Sequence, residues 1–340
     1  MNLKSILIVI MVILTGATAF AGPRTKFGTM AAPELLIPVG SVGTSLQGSN
    51  LASVTGIDAM YWNPAGLSQL QNPTGEAIFS HMNYIADINM EYVAGAVNIS
   101  NVGVLGASLR TLSFGEELVT TEYNPEGDGS TFSPTYIVVN LAFARAMTDR
   151  IHFGTNVKLI NESIANVSAT GFAFDFGLQY LAGNTGLRFG IALKNLGPAM
   201  TFDGQGLDRQ LVENGQTVTR RVTLQSFDLP TNLEIGVSYT ANLNKQNQVM
   251  LASTFMNSGF SSDEYRFGLE YNYNNNFFIR GALNLKPDKE ENEELWGPTF
   301  GAGVKYPFGG VTLGFDYAYR IVNEEGFNST NQFFTLNVGF

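Results

Sequence analysis

The chain of 340 residues offers few residues that could do covalent chemistry. It has no cysteine and only two histidines, His81 and His152. That excludes disulfides, thiolate metal sites, a cysteine nucleophile and a cysteine-linked lipid anchor. His152 falls on the inward-facing side of its segment, but nothing in the sequence pairs it with a nucleophile, so serine–histidine hydrolysis has no support. There is no glycine-rich phosphate loop and no His-x-x-x-His spacing, and Gly301-Ala302-Gly303 falls in mid-segment with its glycines inward. Asp128-Gly129 and Asp203-Gly204 lack the spacing of a calcium loop. The expectation is a noncatalytic protein without metal or cofactor.

What remains is a set of isolated charges inside apolar segments. Counting alternate positions places Lys158, Arg188, Lys194, Arg266, Arg280 and Arg320 on one face, with Asp175, Glu234, Glu270 and Asp316. A guanidinium binds a carboxylate or phosphate through two parallel hydrogen bonds. Two roles follow. The charges hold one another in a structural network, or some of them receive the anionic head of an amphipathic ligand. Lys158, Arg188, Lys194, Arg266 and Arg280 form the candidate set for both.

The elements carrying these charges alternate with period two. In Tyr265-Arg266-Phe267-Gly268-Leu269-Glu270-Tyr271 every second residue is large and apolar, and those between are small or charged. Phe172–Tyr180, Leu187–Lys194 and Val311–Arg320 repeat the rule. Successive side chains on a strand point to opposite faces, so each segment has one apolar and one polar face. The polar face is mostly Gly, Ala, Ser, Asn and Thr, which suits a lumen better than bulk water. Composition agrees: 14% of residues are charged, 12% are aromatic, 37 are glycine, and mean hydropathy is +0.05. A net charge of -10 argues against a nucleic-acid partner.

Strands in lipid must close, because no backbone group can go unpaired there. Segments starting near 75, 90, 102, 133, 150, 167, 186, 230, 247, 263, 276, 296, 310 and 331 make about fourteen, an even number as bacterial barrels require. Short turns at 100–101, 148–149, 183–184, 274–275 and 308–309 alternate with long polar loops near 115–132, 196–229, 286–295 and 322–330. The fold expected is all-β: a transmembrane antiparallel up-and-down β-barrel of about 14 strands over 75–340. Its apolar face meets outer-membrane lipid. Segments 116–128 and 286–295 are acidic and read as solvated surface.

Residues 1–21 read as a signal peptide, with Lys4, an apolar run from Ile6 to Leu14, and small residues at Ala19 and Ala21 before the cut. The expected location is the outer membrane of a Gram-negative-type bacterium. Residues 22–74 do not alternate and contain Pro33, Pro38, Gly40, Gly43 and Gly48. Irregular backbone at membrane depth must be buried by protein, so this stretch is expected as a hatch that plugs the barrel.

Within that stretch Tyr61-Trp62-Asn63-Pro64-Ala65-Gly66-Leu67, just before the first strand, resembles the hatch motif of the PorV/PorQ family of FadL-like outer-membrane barrels. Residues 40–48 depart from that family's more basic, more glycine-rich version. The final Phe334–Phe340 alternates and ends on Phe340, which resembles the signal read by the barrel-insertion machinery. Resemblance to PorV implies a noncatalytic partner or cargo shuttle in type IX secretion, working with secretion-system components and exported proteins through the 196–229 loop. The alternative implied by FadL-like barrels is a transporter of hydrophobic, fatty-acid-like small molecules. That reading expects an apolar pocket near Leu51, Ile57, Met60, Tyr61 and Trp62.

Overall fold

The computed structural model describes residues 28–84, 88–213, 216–287, 296–322 and 330–340. The signal segment 1–21, with Ala19 and Ala21, lies outside the described residues, as does the beginning of the N-terminal stretch.

The chain opens its wall with β1 (Gly75–Asn83), β2 (Asn89–Ile99) and β3 (Gly103–Ser113). A small hairpin of β4 (Glu117–Leu118) and β5 (Thr131–Phe132) interrupts it. Four long strands follow: β6 (Thr135–Ala146), β7 (Ile151–Ile164), β8 (Val167–Leu181) and β9 (Leu187–Leu196). A second loop hairpin joins β10 (Asp208–Glu213) and β11 (Gln216–Arg221). The wall ends with β12 (Asn232–Asn242), β13 (Asn247–Ser258), β14 (Glu264–Tyr273), β15 (Phe277–Leu285), β16 (Trp296–Phe308), β17 (Val311–Val322) and β18 (Thr330–Gly339). Without the two loop hairpins, fourteen strands form one closed antiparallel barrel. β1 seals against β18 from Glu76↔Gly339 to Asn83↔Gln332, leaving no open edge. Phe340 completes the seam, exchanging backbone hydrogen bonds of 3.0 Å with Gly75 in both directions.

The barrel is inside-out relative to a soluble protein. On β8, Phe172, Phe174, Phe176 and Leu178 are 39–53% exposed, whereas Ala173, Asp175 and Gln179 between them are fully buried. That outward apolar band is what lipid requires of a closed barrel, and the chain is an outer-membrane protein. β1 to β3 alternate less cleanly for a physical reason. Val93, Val97, Leu105 and Leu109 face out, yet Met82, Met90, Tyr92 and Ala94 face in and pack against Val54, Ile57 and Met60.

The short turns, such as Asn274-Asn275 with both residues at positive φ, lie at the end holding Gly75 and Phe340. By barrel convention this is the periplasmic end and the other faces outward. Three outer connections, at 84–88, 165–166 and 259–263, break the expected alternation of lengths, the second most sharply. Ala165-Asn166, between β7 and β8, is a two-residue turn with Ala165 at φ +49°. Here the length lies in the strands, of 14 and 15 residues. The 197–231 loop leans on them through paired Ser168 and Asp203 backbones.

Residues 33–69 thread the lumen as a chain of short helical turns. Ala31 N–H donates to Asp228 C=O (2.9 Å) in the outer loop, and Thr74 N–H donates to Phe340 C=O (3.2 Å) at the periplasmic end. Gly56–Asp58 touches β1 and β2, and Pro64–Gln69 touches β3, β6, β7 and β8. Ser49–Ala52 touches β9, β12, β13 and β14, and Ser41–Ser45 touches β15 to β18. Every strand of the wall is therefore met by the hatch. Inward glycines make room: a Cβ at Gly154 would strike Pro64, and one at Gly177 would strike the Asn63 side chain.

Candidate functional site

The motif from Trp62 to Gly66 builds the floor of the site. Trp62 Nε1–H donates to Val39 C=O (3.1 Å). Asn63 is completely buried and works in both directions. Its Nδ2 donates to Leu51 C=O (3.0 Å) and to Leu178 C=O (3.4 Å) in the wall, while Oδ1 accepts from Ala65 N–H (3.2 Å). Pro64 starts the next helical turn, where its missing N–H has no partner to lose. Gly66 lies against the Val54 carbonyl, where a Cβ would not fit. These five residues tie the hatch to itself and to β8.

Above this floor, toward the outer end, is a cavity of about 240 Å³. Tyr61 and Trp62, packed edge to face with centroids 4.9 Å apart, line its base together with Leu35, Leu36 and Pro38. The wall contributes Lys158, Lys194, Arg266, Lys286 and Arg320, with Glu234 and Glu264. Lys158 Nζ pairs with Asp175 (2.6 Å), and Lys194 pairs with Glu234 (3.2 Å). Glu264 serves both Arg266 (2.8 Å) and Lys286 (3.0 Å). Lys194 also stands 5.5 Å from the ring centroids of Tyr61 and Trp62, within reach of a cation–π attraction.

The candidate charges thus divide. Lys158, Lys194 and Arg266 meet at the cavity. Arg280 lies lower, held between Glu270 (2.6 Å) and Asp316 (2.7 Å), where both carboxylates consume it. Arg188 is lower still, near the Gln69 side chain (3.5 Å). The apolar pocket expected around Leu51, Ile57 and Met60 is filled. Those three are packed solidly against the wall, and only Tyr61 and Trp62 of that group reach open space.

Three charged or aromatic lining residues escaped the sequence reading. Glu264 and Lys286 were available to it, since Glu264 lies two residues from Arg266 on β14 and Lys286, just past the end of β15, lies six from Arg280. Trp296 was not. Strict alternation from inward Thr299 would turn Trp296 out to lipid, but the register between β16 and β17 slips between these two residues. Pro298, which has no N–H for the ladder, falls in the slip. The freed Gly297 carbonyl accepts from the hatch, through Gln47 Nε2 (2.7 Å).

At the periplasmic end the structure brings Ser68 Oγ to 2.7 Å from His152 Nδ1, a pairing that sequence did not reveal. The Ser68 hydroxyl donates to Ala65 C=O (2.8 Å), which leaves its oxygen free to accept from His152 in the Nδ1–H tautomer. Among the described residues no carboxylate orients the imidazole, and the pair reads as a hatch-to-wall tie. A gap of about 30 Å³ beneath the hatch, lined by Asp58, Glu76 and Lys305, has room for about one water. His81 is remote, bound to Glu91 (2.7 Å) and Asn83 (2.6 Å) near the outer end of β1.

No family model matches the sequence, and no curated protein does. Solved structures do match in shape. A monoaromatic hydrocarbon channel, CymD, is 14% identical with a TM-score of 0.52, covering 89% of this chain and 97% of that one. The Pseudomonas putida toluene transporter TodX is 13% identical at 0.52, covering 88% and 96%. A Pseudomonas aeruginosa FadL homologue is 11% identical at 0.50, covering 88% and 97%. The fold is that of the FadL-like outer-membrane barrels. At these identities the likeness is one of architecture.

Proposed function

We propose that this FadL-like barrel is a noncatalytic channel that admits hydrophobic small molecules through the outer membrane, with the hatch as its plug. The observation carrying this is the cavity of about 240 Å³ held between hatch and wall on the outer side of an otherwise filled lumen. A ligand arriving from outside meets a pocket first and the plug second. The printed descriptions of CymD and TodX, as a hydrocarbon channel and a toluene transporter, support the same class of cargo. In the same proposal residues 1–21 are the export signal and Phe340 is presented to the insertion machinery.

The type IX secretion role implied by the PorV/PorQ resemblance draws no support from these structures. The 196–229 loop on which it depended is also partly committed, since Met200 and Leu229 are buried in the same core as the hatch. The test is uptake of radiolabelled toluene by intact cells with and without the protein. Several-fold faster entry with the protein is expected. Equal entry, together with loss of exported proteins from the medium when the gene is deleted, would reverse the choice.

A further inference from the structure

The cavity carries more positive charge than its hydrocarbon-channel likeness calls for. Five cations line it, Lys158, Lys194, Arg266, Lys286 and Arg320. Among the described residues the carboxylates against them are three, Asp175, Glu234 and Glu264. Buried charge without a counter-charge is costly in a low-dielectric interior, so this excess of two cations among the described residues favours an anion in the cavity.

The excess is localised. Lys158, Lys194, Arg266 and Lys286 each face a carboxylate. Arg320 has no carboxylate within ion-pair distance among the described residues, and Glu264 acts on it only from farther away. It is 6% exposed, and its Nε and Nη2 both donate to one acceptor, Asn331 Oδ1, at 3.2 and 2.9 Å. Both hydrogens of Nη1 and one of Nη2 are left without a protein acceptor among the described residues. The guanidinium is stacked on Trp296, with Cζ 3.5 Å from the ring centroid, and Phe333 lies at 5.7 Å. Stacking and the Asn331 bonds fix its plane and leave the Nη1–Nη2 edge for a planar two-oxygen acceptor.

The rest of the lining describes the remainder of the ligand. Tyr61, Trp62 and Trp296 supply aromatic surface, and Leu35, Leu36 and Pro38 supply apolar contact. The volume of about 240 Å³ is ample for one substituted ring, and it is the aromatic lining that favours a ring over an alkyl chain. We propose that this cavity is a binding site for a compact aromatic acid, with its carboxylate on Arg320 and its ring among Tyr61, Trp62 and Trp296. This rests on the channel reading above and narrows its cargo to an anion.

The protein contains two tryptophans, and both line the cavity, so intrinsic fluorescence reports on this site. The experiment titrates the full-length, detergent-solubilised protein with benzoate, toluene and dodecanoate. Benzoate is expected to change the emission saturably and to bind at least about tenfold more tightly than toluene or dodecanoate. Arg320→Gln is expected to weaken benzoate about tenfold and to change toluene by much less, and Arg320→Lys to keep part of the benzoate affinity. The comparison of benzoate with toluene in the unaltered protein holds even if Arg320→Gln fails to fold. Toluene or dodecanoate binding as tightly as benzoate overturns the proposal, as does a folded Arg320→Gln protein with unchanged benzoate affinity. Faster toluene uptake by cells with no preference for benzoate in the cavity would sink the aromatic acid and leave the channel standing. Absence of both binding and uptake would sink both.

Discussion

Asp175 is the carboxylate on which most of the upper lumen depends. It is fully buried, receives Lys158 at 2.6 Å and Asn156 Nδ2 at 2.9 Å, and accepts the backbone N–H of Asn195 at 2.8 Å. That last bond satisfies the strand where Asn195 takes positive φ and the β8–β9 register slips. Asp175→Ala leaves Lys158 buried and unpaired, which costs about 3–5 kcal/mol for a broken buried ion pair. Urea unfolding in lipid vesicles is expected to show that loss, and adding Lys158→Met to the same chain is expected to recover much of it. If the single change costs nothing, Lys158 has another counter-charge. At this scale the sequence went only part of the way. Period two showed that Asp175, Lys158, Lys194 and Arg266 face inward, because strand geometry leaves no choice. Which acid meets which base depends on the relative height of strands far apart in sequence. That is why Arg280, saturated by Glu270 and Asp316, stood beside the cavity residues as a candidate while Arg320 was passed over.

At the scale of elements, the barrel strands were legible wherever one face meets lipid and the other meets small residues. They blurred in β1 to β3, where the hatch replaces water on the inner face and both faces become apolar. The hatch motif was legible as a turn, but its packing partners were not, because they are glycines on β7 and β8. Gly177→Val inserts a branched side chain where Asn63 now sits against the wall. The expected outcome is a barrel of normal heat-resistant mobility whose residues 33–69 become accessible to protease. Protection equal to the unaltered protein would show that the hatch can shift without leaving. The outer hairpin of β10 and β11 has a different sensitivity. Hydrogen bonding from Arg221, at 2.7 Å, holds the Asp208 carboxyl below its usual range, with Asp203 adding a second contact at 3.2 Å. A carboxyl lowered in the folded state contributes order above its unfolded value of about 4 and loses it as pH falls through the folded one. The protection of the hairpin amides, taken relative to their intrinsic exchange at each pH, is therefore expected to be flat from pH 8 to 5 and to fall below pH 4. Arg221→Ala should remove that dependence, and a hairpin equally ordered at pH 3 would assign its order to the backbone pairing alone.

For the whole molecule the central fact is that one threaded segment touches all fourteen strands. Strand number and closure were readable from sequence because a membrane tolerates no open edge. The distribution of the hatch around the wall was not, since short helical turns of Ser, Gly and Ala leave no periodic trace. This distribution has a mechanical consequence. A cavity of about 240 Å³ lies above the hatch and a gap of about 30 Å³ lies below it, so a ligand passing straight down the lumen from the cavity must displace the hatch. The Ser41–Ser45 turn is the part to hold, because Ser41 Oγ and Thr335 Oγ1 on β18 are 2.7 Å apart. Sulfurs in those places need to close only to about 2.05 Å to form a disulfide, and the chain has no cysteine to compete. The Ser41→Cys/Thr335→Cys protein, oxidised, is expected to take up ligand no faster than cells without it, and dithiothreitol should restore the rate. Fluorescence titration should find the cavity unchanged in both states, since neither residue lines it. Uptake that is the same oxidised and reduced would mean that this turn stays in place during passage, and the moving part would then lie among the turns facing β1 to β14.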